Sequence, residues 1–144
     1  ISKKDLCFQS SASHFINNIN DYSQGKIDII IDTTGIPSVI TDAINKLSDE
    51  GRMILVGQPA PGKFVQISNA LTLFNGIGKT IKATQGGKTQ PHLDIPRYIK
   101  LYKNDRLKID HLFTHRFPLV DVNKGFDLLR SGNAGRVIVS INDK

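Results

Sequence analysis

The chain of 144 residues contains no tryptophan, one methionine and a single cysteine, Cys7. One thiol excludes an internal disulfide framework and any multi-cysteine zinc site built within the chain. It also makes a reducing, intracellular (cytoplasmic) location the default expectation. No apolar run is longer than a few residues, so no segment is long enough to span a bilayer and no membrane partner is expected. The opening Ile1-Ser-Lys-Lys-Asp-Leu6 carries charge without an apolar stretch behind it, unlike a signal peptide. A chain that begins on Ile rather than Met is expected to be a fragment or a processed product. Acids are in the minority, 13 against 19 Lys and Arg, leaving a net charge of +6. The basic residues alternate with acids, as in Lys46-Leu-Ser-Asp-Glu-Gly-Arg52, and no basic-and-aromatic motif accompanies them. The excess therefore reads as solvated surface, and nucleic acid is not an expected partner.

Three segments each read as a strand running into a small or glycine-containing turn. They are Ile27-Asp-Ile-Ile-Ile-Asp-Thr-Thr-Gly35, Arg52-Met-Ile-Leu-Val-Gly57 and Thr80-Ile-Lys-Ala-Thr-Gln-Gly-Gly87. Strand ends stripped of side-chain bulk let a flat ligand lie across the carboxyl edge of an open parallel sheet. The four Ile of residues 27–34 suggest a strand buried on both faces. Pro37 suits a first helical turn, and Val39, Ile40, Ala43, Ile44 and Leu47 recur at helical spacing. Gly51 is read as the break before the next strand, Met53–Val56, completing a βαβ unit.

The remaining elements carry weaker signals. Residues 3–10 suggest a short helix, residues 13–17 a brief strand, residues 64–67 another and residues 69–75 an apolar helix. Gly86-Gly87 and the polar stretch to Pro91 mark the domain boundary, giving residues 1–85 and 86–144. Beyond it, Asp94 is expected to cap a helix with Pro96 in its first turn and Ile95, Ile99 and Tyr102 on one face. A strand over residues 112–117, a helix capped by Asp121 and stopped at Gly132, and a strand over residues 136–141 complete the chain.

In this order the segments resemble the C-terminal part of the medium-chain dehydrogenase/reductase family, the zinc-type alcohol dehydrogenases. The likeness rests on Asp32-Thr-Thr-Gly35, Gly51-Arg-Met-Ile-Leu-Val-Gly57 and Gly86-Gly87 followed by Asp94-Ile-Pro-Arg-Tyr-Ile-Lys-Leu-Tyr102. It rests also on Leu112-Phe-Thr-His115 and the closing stretch from Asp121 to Ile138. The resemblance implies an α/β fold. A partial Rossmann-like parallel sheet, lacking its first strands, would be followed by a segment returning to the catalytic domain. By resemblance, Thr34, Gly35 and Ile36 lie beside the adenosine half of NAD or NADP, with NAD favoured. Backbone groups of Val56, Gly57 and Gln58 and of Ala83, Thr84 and Gln85 hold the nicotinamide carboxamide, which needs both a donor and an acceptor. The alternative is that Gly57 and Gly87 only make tight turns. Arg136 is the residue expected to reach the pyrophosphate, since a guanidinium grips phosphate oxygens in pairs. Its alternative is an exposed arginine at a strand start.

The family's Gly-x-Gly-x-x-Gly turn does not occur here, and by resemblance the zinc ligands and that turn belong upstream of Ile1. The chain is therefore expected to be an inactive piece of a nicotinamide-dependent oxidoreductase acting on a small alcohol or aldehyde, a homodimer or homotetramer. A zinc-free quinone or enone reductase, or a non-catalytic nucleotide- or protein-binding module, stays open as an alternative. His111 and His115 flank a strand-like segment, which sets them too far apart to chelate one ion. No residue of the chain is assigned to a metal or to catalysis. Cys7 reads as a small core residue.

Overall fold

The structure is a computed structural model that describes residues 2–141. It divides into two compact units, Ile16–Thr89 on the one hand and Ile1–Phe15 with Gln90–Lys144 on the other.

In the Ile16–Thr89 unit, strand β1 (Ile27–Asp32) leads through a helix (Pro37–Lys46) into β2 (Leu47–Leu55), and β3 (Thr80–Ala83) follows. All pair in parallel in the order β1-β2-β3, with Ile30, Met53 and Ile81 in register. The helix, α2 in the chain after α1 (Lys3–Gln9), starts on Pro37 as its sequence requires and buries Ile40, Ala43 and Ile44 against Leu47 and Met53. Ile19, Ile30 and Leu55 close the margin of this core. These residues sit at helical spacing on α2 and on one pleat face of the strands, so one apolar cluster satisfies both periods.

Ile29 and Ile31 are each 64% exposed, so β1 is buried on one face, not both. Among the described residues α2 covers only the face that carries Ile30 and Met53. Gly51 lies inside β2 rather than before it: the register with β1 slips between Ile27 and Ile29, and the chain bulges. A Cβ on Gly51 would come 2.6 Å from Leu47 Cγ, so the missing side chain is what lets Leu47 fold into the core. Finally, residues 64–67 form no strand, and residues 70–74 make a 3₁₀ turn in place of an α-helix. The alternation of Phe64-Val-Gln-Ile67 fits a strand, but no neighbouring edge pairs with it, and Phe64 is exposed. The turn is pinned instead by Asp49, whose carboxylate accepts from Asn75 Nδ2 and Lys79 Nζ, both at 3.2 Å. These two bonds hold the Asp49 carboxyl below the ordinary aspartate range.

In the other unit, α3 (Pro91–Lys103) precedes β4 (Phe113–Pro118), α4 (Val122–Arg130) and β5 (Arg136–Ser140). β4 and β5 pair in parallel, making a second βαβ unit. Gly125 of α4 packs against both strands, a Cβ there lying 3.3 Å from Val137 and 3.4 Å from Phe117. Gly132 ends α4 in the left-handed region, φ 74°, as a glycine stop does. The helix starts differ from expectation. α3 begins at Pro91, three residues ahead of Asp94, whose carboxylate accepts from the Gln90 N–H at 2.8 Å. Pro96 is thus interior, and Ile95, Ile99 and Tyr102 are all exposed. Asp121 stands at the cap of α4 without capping it, because the Lys124 ammonium at 2.9 Å takes its carboxylate. Residues 13–17 form no strand, and a 3₁₀ turn at Ile19–Asp21 follows, held by the Asn18 side chain.

Candidate functional site

The carboxyl ends of β1, β2 and β3 lie side by side because the register is parallel, so the three turns that follow them share one edge. Asp32, the last residue of β1 and only 5% exposed, organises the first two. Its carboxylate accepts from Thr34 N–H (3.1 Å), Thr34 Oγ1 (2.6 Å) and Gly35 N–H (3.0 Å). Its backbone carbonyl accepts from the Val56 and Gly57 N–H groups at 2.8 and 3.1 Å. Asp-Thr-Thr-Gly is a side-chain-to-backbone turn signal, which is how Asp32 shows in the sequence.

The two turns touch backbone to backbone. A Cβ on Gly57 would lie 2.2 Å from Gly35 N, and one on Gly35 would lie 2.5 Å from Gln58 O. Gly35 also adopts φ 65°, which favours glycine. Beyond this seam a cavity of about 550 Å³ opens between the β2 and β3 ends, lined by Val56, Gly57, Gln58, Ala83, Thr84 and Gln85 with Leu55 and Pro59. Six of the ten expected site residues therefore meet in one hollow. Thr34, Gly35 and Ile36 do not line it; the backbone of Thr34 and Gly35 abuts Gly57 and Gln58, and Ile36 is exposed.

No lining residue is charged. Thr84 N–H is taken by the Leu55 carbonyl, and Thr84 Oγ1 accepts from the N–H groups of Gly86 and Gly87. Among the described residues, the Val56 carbonyl and the Gln85 N–H have no protein partner at this edge. The hollow thus offers backbone acceptors and donors, the Val56 carbonyl and the Gln85 N–H among them, on a neutral wall that also carries the side-chain amides of Gln58 and Gln85.

Arg136 belongs to the other unit, exposed at the first position of β5, where its carbonyl accepts from Thr114 Oγ1. The histidines do not gather. His111 Nε2 pairs with Ser10 Oγ at 2.7 Å, while the His115 ring stacks on Phe117 with centroids 6.5 Å apart. Among the described residues no three His, Cys, Asp or Glu side chains converge as metal ligands. None of their helices is long and apolar enough to cross a membrane. Cys7 is half-buried in α1, beside Leu6, Ala12 and Leu112.

No family model matches the sequence. The chain is 36% identical over 108 residues to an NDMA-dependent alcohol dehydrogenase of Amycolatopsis methanolica, covering 74% of this chain and 28% of that protein. It is 30% identical over 126 residues to alcohol dehydrogenase 1 of Solanum tuberosum, covering 87% of this chain and 32% of the relative. The chain belongs to the zinc-type alcohol dehydrogenase family. It spans about a third of the length of these relatives. Among solved structures, an alcohol dehydrogenase zinc-binding domain protein from Burkholderia ambifaria superposes with a TM-score of 0.84 at 26% identity, over 97% of this chain and 39% of that one. The α/β fold with parallel sheets is accordingly the Rossmann-like arrangement of alcohol dehydrogenases.

Proposed function

We propose that the carboxyl edge of β1-β2-β3 receives the nicotinamide half of NAD or NADP, NAD ahead of NADP, in an oxidoreductase interconverting a small alcohol and its aldehyde. The uncharged lining of the hollow carries this reading. A phosphate would want cationic partners, whereas a carboxamide and a flat ring want a donor, an acceptor and apolar walls. Val56 C=O and Gln85 N–H supply the two polar contacts, and Leu55, Pro59 and Ala83 the apolar ones. The nicotinamide, when bound, gives or accepts the hydride. The chain's part is to bind the ring and present one face. Thr34, Gly35 and Ile36 extend the surface toward the adenosine half, and Arg136 neutralises the pyrophosphate.

On this reading residues 1–85 belong to the cofactor domain and residues 86–144 return to the catalytic domain. The zinc would take its ligands from residues other than these. A cytoplasmic homodimer or homotetramer is the proposed assembly, with the outer edge of β3 as its contact. The test is a fluorescence titration of NADH against the chain, with Arg136→Ala alongside. Saturable binding that the substitution weakens by about tenfold, the worth of one charge-assisted contact, is the expected result. A chain that leaves NADH fluorescence unchanged overturns the proposal.

A further inference from the structure

Asp32 is the feature that the proposed function leaves unused. Among the described residues its buried carboxylate pairs with no cation: it meets three donors from the turn after β1, while its carbonyl meets two from the turn after β2. Five donors of two turns, some 20 residues apart in sequence, thus end on one residue. Thr34 passes the constraint on. Its hydroxyl donates to Asp32 Oδ1 and accepts from the Ile36 N–H at 3.1 Å, where α2 begins.

From this geometry we infer that Asp32 is the positioning residue of the nucleotide edge, acting through Thr34, Gly35 and Gly57 without touching the ligand. The inference rests on the nicotinamide reading above and deepens it. Two consequences follow for how the edge recognises its ligand. The N–H groups of Gly35, Val56 and Gly57 are already spent on Asp32, so at Val56 and Gly57 the second turn has only carbonyls to offer a ligand. Thr34 has its donor committed inward, so it shapes the turn and hydrogen-bonds no ligand acceptor.

Asparagine is the informative replacement at residue 32. It keeps the size and one acceptor oxygen but turns an NH₂ toward one of the donors that Oδ1 or Oδ2 now receives, leaving a buried donor facing a donor. Thr34→Val removes only the hydroxyl, and Thr34→Ser keeps it. NADH affinity is read by fluorescence, global stability by thermal melting, and the amides of Gly35, Val56 and Gly57 by hydrogen exchange. Asp32→Asn is expected to weaken NADH binding at least about tenfold, one charge-assisted hydrogen bond's worth, and to speed exchange at Gly35, whose amide bonds the carboxylate, more than at Val56 and Gly57, whose amides bond the backbone carbonyl that Asn keeps. Thr34→Val should weaken binding severalfold with its melting temperature unchanged, and Thr34→Ser should restore it. If Asp32→Asn does not fold, the Thr34 pair decides alone. Wild-type binding that both Asp32→Asn and Thr34→Val leave within twofold overturns the role of Asp32 while the nicotinamide reading stands. A wild-type chain that binds no NADH overturns that reading first, and this role with it.

Discussion

The chain contains two βαβ units of the same grammar, and they close differently. In β1-α2-β2 the helix buries Ile40, Ala43 and Ile44 against Leu47 and Met53. In β4-α4-β5 the helix contributes a glycine, Gly125, to its buried positions, and Phe126 and Leu129 remain about half exposed. The first unit is held by side-chain volume. The second is held by close approach of backbone to Phe117 and Val137. A repeated pattern of elements therefore does not imply a repeated source of stability.

Truncation inside each unit is the strongest way to break that contrast. Ile40→Ala should cost about 4 kcal/mol, a full core deletion, while Phe126→Ala should cost about 1 kcal/mol or less. Denaturant unfolding of both variants checks it, and equal losses would mean that α4 is buried as deeply as α2. Glycine substitution is the next test. Gly57→Ala sets a methyl 2.2 Å from the Gly35 nitrogen, so two backbones must part. A loss of roughly 2–3 kcal/mol together with loss of NADH binding is expected. Gly125→Ala meets only the ends of two side chains, and the helix propensity it gains offsets the crowding, so the change should stay within about 1 kcal/mol.

The smallest effect concerns pH. The Asp49 carboxyl is held low by Asn75 and then by Lys79, so its contribution is present above the unfolded-state value of about 3.9. It fades as pH falls through the lower folded value. Asp49→Asn should flatten this acid limb of a stability-versus-pH curve, and a limb left unchanged would exclude the pairing as its source.

Much of the first βαβ unit was legible because its signals agree: β-branched strand residues, Pro37 at a helix start and apolar residues at helical spacing. Errors arose where a local signal needed a partner that sequence does not display. Phe64-Val-Gln-Ile67 has the strand period without a neighbouring edge. Asp94 and Asp121 are good caps whose positions were overridden, the one by Pro91 starting the helix early, the other by Lys124. The edge at which the cavity opens was legible because small strand ends in a parallel register must meet, whereas its six residues came from the family resemblance. Asp32 shows in the sequence as a turn former but not as a buried group, because a carboxylate whose partners are all backbone or hydroxyl donors leaves no charge pattern. Gly51 was misread because the need for it lies in Leu47, four residues earlier.

The seam between Gly35 and Gly57 has a bearing on how such a chain can change over time. Neither position has room for even a methyl group: enlarging Gly57 displaces the main chain at Gly35, and enlarging Gly35 displaces the main chain of Gln58. No substitution at a third site relieves that conflict without bending a turn. These two positions, 22 apart (57 − 35), are thus each held to glycine by main chain, whatever side chains surround them.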